Sequence, residues 1–161
     1  MNWNQIFRIQ RNLDERIIQE HQLEGQNLLP AKVLALQVEL GELANETRCF
    51  KYWSNKPSSP KEVVLEEYVD CLHFVLSIGL TCGTEQDEFG TLTPASSVTL
   101  QFRQLFSQLE RFTQSPNVEE YRNLMEDLLT LGMMLGFTEE EIAQAYLKKN
   151  EINHQRQDQG Y

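Results

Sequence analysis

The sequence predicts an all-α fold, a bundle of about six helices forming a single domain over residues 1–161. Three observations carry that prediction. Apolar residues recur at helical spacing in almost every segment, and no stretch alternates as a half-buried strand does. Gly, Pro and Ser clusters fall between these periodic segments rather than within them. Thr138-Glu-Glu-Glu141 is a capping box, the signature of a helix start.

Taken in order, Asn4 is placed to cap a first helix running to about His21, with Ile6, Phe7, Leu13 and Ile17 on its apolar side. The stretch from Gly25 to Pro30 breaks it, and Pro30 suits the first turn of a second helix, about Ala31 to Arg48. Phe50-Lys-Tyr-Trp-Ser-Asn-Lys-Pro-Ser-Ser-Pro60 reads as a loop with exposed aromatics. A third helix, about Lys61 to Leu80, is apolar nearly all round, as a central helix is. Cys82 to Ser97 is a long connection, either a lid or a crossover. Helices follow at about Val98–Thr113 and Val118–Leu135, the latter interrupted by Gly. The last helix begins at the capping box, and Gly160-Tyr161 reads as a frayed end.

Two rows of acids stand out within this frame. Glu39, Glu42 and Glu46 are three and four residues apart, and on a helix they fall within roughly 60° of one another. Leu36, Leu40 and Leu43 border that arc on one side, with Ala31 and Val38 on the other. Glu67 and Asp70 repeat the spacing and share their arc with Val63, Phe74 and Ile78. Like charges so placed repel, and carboxylates turned toward a core are costly unless compensated. A hard divalent cation is the natural compensation, because Mg²⁺ and Mn²⁺ take carboxylate oxygens. Solvated acidic helix surfaces are the simpler explanation for one such pair; two pairs edged by apolar residues favour a site.

The last helix changes character along its length. Ile142 and Tyr146 begin an apolar stripe that Lys149, Asn153 and Arg156 continue. Basic and amide groups in such positions suit a pocket for phosphates, and they equally suit the dipole at a helix C-terminus.

The net charge of -10 argues against a nucleic-acid backbone or an anionic membrane surface as partner. It leaves room for an anionic small substrate, since a bound metal inverts the local field. Cys49, Cys71 and Cys82 form no Cys-x-x-Cys pair and read as buried reduced thiols. With no basic-then-apolar leader at the start, a cytoplasmic protein is expected. The apolar run Val69–Leu80 contains Asp70 and His73 and is too short to span a bilayer.

Together these residues resemble a known family, the dimeric all-α dUTP pyrophosphatases within the wider MazG-like group. The resemblance rests on Glu39-x-x-Glu42, Glu67-x-x-Asp70, Asp70-Cys-Leu-His73-Phe74, the Lys51-Tyr-Trp53 loop and Lys149-Asn150…Asn153…Arg156-Gln157…Gly160-Tyr161. Gln10…Leu13-Asp14 is similar to the family's first helix, so the likeness runs nearly end to end. It implies a homodimer that hydrolyses dUTP, and dUDP as well, to dUMP. Glu39, Glu42, Glu67 and Asp70 are implied to hold Mg²⁺, with Mn²⁺ as a substitute. Glu42 or Glu46 is implied as the catalytic base that orients water. Lys149, Asn153 and Arg156 are implied to grip phosphates, and Gln10, Trp53, His73 and Phe74 to line the nucleoside pocket. His73 and Phe74 are also readable as ordinary core residues, and Trp53 as a loop anchor. The stretch from Glu85 to Gln101 matches nothing in the family pattern.

Three other readings compete. A MazG-like pyrophosphatase for dCTP or modified nucleotides keeps the chemistry and changes the base. A di-iron carboxylate bundle would use Asp70-x-x-His73 but needs a second such pair, which neither His21 nor His154 supplies. A helical scaffold without catalysis would leave the acid rows as surface features.

Overall fold

The computed structural model describes all of residues 1–161 and is entirely helical outside its loops. Six helices follow one another: α1 Trp3–Glu20, α2 Leu29–Thr47, α3 Lys61–Cys82, α4 Val98–Gln114, α5 Val118–Met134 and α6 Glu139–Asp158. The expected fold class and helix number are as found, and the ends differ by one or two residues.

The caps explain most of those differences. Asn2, not Asn4, caps α1, its side chain accepting from the Gln5 N–H. α2 starts two residues earlier than expected, with Pro30 in its first turn and no side-chain cap at Leu28. α3 continues past Leu80 to Cys82 and closes on Gly83, whose φ of 64° is the left-handed conformation that glycine adopts freely. The Thr138–Glu141 capping box is formed at α6 as expected. The chain end closes α6 in a cap. The Tyr161 N–H donates to Arg156 O at 3.0 Å, and the Arg156 guanidinium lies 5.3 Å from the Tyr161 ring centre.

α3 is the central helix, packed against α1, α2, α5 and α6, while α4 pairs with α5 and touches α2. Leu72, Leu76 and Ile78 of α3 are fully buried, as are Leu36, Leu40 and Leu43 of α2. α3 and α5 interlock through two reciprocal aromatic–glycine contacts. Tyr121 of α5 lies against Gly79 and donates to Val75 O at 3.0 Å. Tyr68 of α3 lies against Gly132 and donates to Leu128 O at 2.9 Å. A Cβ at Gly132 would stand 2.6 Å from the Tyr68 oxygen, so only glycine admits this ring. Gly132 is therefore a seat in an unbroken α5 and not an interruption of it.

The connection over residues 83–97 is held against α1 and α5. Phe89 packs on Trp3 at 5.2 Å between ring centres, edge to face. The Gly90 N–H donates to Glu126 and the Leu92 N–H to Thr130 Oγ1, fastening the segment to α5. The thiols are unpaired as expected, but only Cys71 is buried; Cys49 and Cys82 are partly exposed. No helix is long and apolar enough to cross a membrane.

Candidate active site

The acids of α2 and α3 face one another because Leu36, Leu40 and Leu43 bury the adjoining stripe of α2 against α3. Glu39, Glu67 and Asp70 each offer an oxygen, and these atoms lie within 4.8 Å of one another. Glu42 stands alongside, its charge felt by both Glu39 and Glu67. Glu46 lines a cleft with Glu42 and Glu67, and its carboxylate accepts from Ser59 Oγ of the α2–α3 loop. Burial on the outer side is less than the sequence suggests: Val38 and Val63 are exposed.

The cluster is electrostatically strained. Burial, followed by the charges of Asp70 and Glu42, pushes the Glu39 carboxyl up to about 7. Burial and Asp70 raise Glu67 also. Lys149 of α6 reaches in, donating to Asp70 Oδ2 at 2.9 Å and Glu66 Oε1 at 3.2 Å. For Lys149, burial lowers the pKa but the hydrogen bond and charge of Asp70 more than reverse it. For Asp70 burial prevails, and its carboxyl stays above the ordinary range despite the ammonium.

The strain has a pH signature. A carboxylate raised in the folded state contributes stability that is present below its ordinary range and lost as pH rises through its folded pKa. For Glu39 that window runs from its reference value of 4.5 to about 7. Under chelator, Glu39→Gln is therefore expected to gain Tm relative to wild type as pH goes from about 5 to about 8. Melting curves for the two proteins across that range check it; a constant difference would mean that Glu39 ionises without penalty.

Beside the acids lies a cavity of about 290 Å³ walled by α1, α2, α3 and α6. Gln10, His73, Phe74, Asn153 and Arg156 line it, together with Glu39 and Asp70 at its acidic end. His73 is buried, stacks on Tyr146 at 4.3 Å between ring centres, and bonds through Nδ1 to Gln10 Oε1 at 2.7 Å. Burial, and next the charge of Lys149, lowers its pKa to about 3, so the ring is neutral. Its Nε2 is buried without a partner.

The fold thus brings together most of the residues singled out from the sequence. Lys149 is turned to Asp70 and Glu66, while Asn153 and Arg156 face the cavity. Trp53 is not in the cavity wall. It is 64% exposed on the α2–α3 loop, edge to face with Tyr52 and near Phe50. Three further polar groups line the cavity and were not singled out as site residues: Asp14, Lys32 and Ser77. Asp14 is one turn beyond Gln10, and Ser77 one turn beyond His73; that i, i+4 spacing was the available signal. Lys32, in the first turn of α2, gave none.

The donor set is all carboxylate oxygen, with no thiol or imidazole among the three closest groups, which suits a hard cation such as Mg²⁺ or Mn²⁺. A family model described as dUTPase matches residues 2–161. Among curated proteins, none matches the chain.

Proposed function

This chain belongs to the dUTPase family and hydrolyses dUTP, and on that premise we propose that the reaction is Mg²⁺-dependent and yields dUMP, from dUDP as well as dUTP. The observation that carries the proposal is the convergence of Glu39, Glu67 and Asp70 next to the cavity lined by Gln10 and His73. Those three carboxylates, with Glu42 beside them, are the residues that would hold the ion. Bound Mg²⁺ would neutralise phosphate charge and acidify a water molecule.

The chain's own residues divide the remaining work. Glu42 or Glu46 orients the attacking water. Glu42 borders the cluster directly, whereas Glu46 is held by Ser59, which favours Glu42 as the base. Asn153 and Arg156 offer donors to the phosphates from the cavity wall, and Lys149 adds its ammonium at the acidic end. Gln10, His73 and Phe74 enclose the nucleoside in a wall that also holds the apolar Leu13, Ile17 and Ile18, the mix of apolar surface and a few polar groups that a ligand pocket uses.

The enzyme is proposed to act as a cytoplasmic homodimer, without nucleic acid or membrane as partner. Leu34 at 61% and Val38 at 52% exposure, with Val63 on α3, leave an apolar surface beside the acid rows for a second copy to cover. Trp53, outside its own chain's cavity, would then serve the nucleoside pocket from across the two-fold. A dilution series followed by sedimentation and by turnover tests this, and a fully active monomer would remove it. A panel of all deoxynucleoside triphosphates, assayed with Mg²⁺ for monophosphate and pyrophosphate release, tests the reaction. Preference for dUTP is expected; preference for dCTP would move the chain to the other MazG-like chemistry.

A further inference from the structure

A chain of hydrogen bonds in the cavity wall runs from Asp14 on α1 to His73 on α3. Gln10 Nε2 donates to Asp14 Oδ1 at 2.8 Å, and Gln10 Oε1 lies 2.9 Å from Tyr146 Oη and 2.7 Å from His73 Nδ1. Ser77 Oγ donates to Asp14 Oδ2 at 2.6 Å, and Lys32 Nζ forms an ion pair with the same oxygen at 3.6 Å. A carboxylate only accepts hydrogen bonds, whereas an amide donates at one end and accepts at the other. Beside Asp14 the Gln10 amide therefore has one admissible orientation. Reversed, it would set its oxygen against a carboxylate oxygen. The admissible orientation turns Oε1 to His73 and makes Nδ1 the protonated nitrogen of the neutral ring. Nε2 is then a bare acceptor, and it is buried without a hydrogen-bond partner.

We propose that Asp14 is a positioning residue that fixes the donor–acceptor polarity of the nucleoside cavity, through the Gln10 amide and the His73 tautomer, and thereby favours uracil over cytosine. The proposal rests on the dUTPase reading and on Gln10 facing the base. After its bond to Asp14, Gln10 Nε2 keeps one N–H uncommitted, a donor suited to a base carbonyl. Uracil has a carbonyl where cytosine has an amino group. A donor set against an amino group leaves both unpaired, and unpaired buried groups are what make such discrimination steep. Asp14→Asn removes the constraint, because an asparagine side chain pairs with the Gln10 amide in either orientation.

Two measurements test this. Long-range ¹H–¹⁵N spectra of the metal-free wild-type protein, with the His73 signals assigned by loss in His73→Gln, are expected to show the Nδ1–H tautomer. In Asp14→Asn they are expected to show a mixture with Nε2–H, a change that a merely structural role does not produce. The ratio of kcat/KM for dUTP over dCTP is expected to fall about tenfold or more in the same variant, mostly through KM for dUTP. An Nε2–H tautomer in the wild-type protein overturns the proposal even if Asp14→Asn does not fold. So does a folded Asp14→Asn with the wild-type base ratio. If the wild type hydrolyses no dUTP, the dUTPase reading falls separately, and the tautomer still reports on Asp14.

Discussion

Asp70→Asn is expected to lower dUTP turnover by about 10³-fold or more and to abolish the stabilisation that Mg²⁺ gives the wild-type protein. The expectation follows from the position of Asp70. It is the carboxylate shared by the acid cluster, the cavity and the Lys149 ammonium. In the cluster it also contributes the largest neighbouring charge acting on Glu39. An asparagine keeps the shape and an acceptor for Lys149 but removes a charge that a hard cation needs. The metal-free fold should therefore persist. For the wild type, a cation present at about a hundred times its Kd raises stability by about 2.7 kcal/mol. Steady-state turnover checks the first half, and melting curves with and without Mg²⁺ check the second. A full Mg²⁺ effect in Asp70→Asn would place the cation elsewhere.

Lys149→Met is expected to move two properties in opposite directions. The Lys149 Nζ lies 2.9 Å from Asp70 Oδ2, so in the metal-free protein the ammonium serves as the counter-ion of the cluster. A divalent cation arriving at Asp70 meets that positive charge. Removing it while keeping the length of the side chain should tighten Mg²⁺ binding, by roughly tenfold for one screened charge. Turnover should nevertheless fall about 10²-fold, because a donor to the phosphates has gone. Calorimetric titration with Mg²⁺ and turnover on the same preparation give the two signs. Weaker metal binding with lower turnover would mean that Lys149 mainly holds α6 against α3, and the phosphate role would be lost.

The sequence made the carboxylate cluster and the helix order legible because both depend on spacing along single helices. Glu39 with Glu42, and Glu67 with Asp70, share faces by periodicity alone, and the flanking leucines told which faces turn inward. What crosses between helices was less legible. Nothing in the local pattern says that Lys149 turns toward Asp70 and Glu66 while Asn153 and Arg156 face the cavity. The wall residues Lys32 and Ser77 are ordinary in their own segments and acquire meaning only where α2 and α3 meet α1. The seating of Tyr68 on Gly132 and Tyr121 on Gly79 is likewise a contact between helices, so Gly132 looked like an interruption. Helix ends slipped where a competing cap lay close by, as Asn2 does beside Asn4. The connection over residues 83–97 was ambiguous because its anchors, Glu126 and Thr130, are far away in sequence.

The facing acids of α2 and α3 are proposed to form the metal centre at which dUTP is hydrolysed. Anomalous diffraction from crystals grown with Mn²⁺ and a non-hydrolysable dUTP analogue tests this most directly. The result expected is manganese bound by Glu39, Glu67 and Asp70, with the uracil in the cavity lined by Gln10 and His73. Manganese bound only elsewhere, or the analogue lying outside that cavity with the acids unliganded, would contradict it.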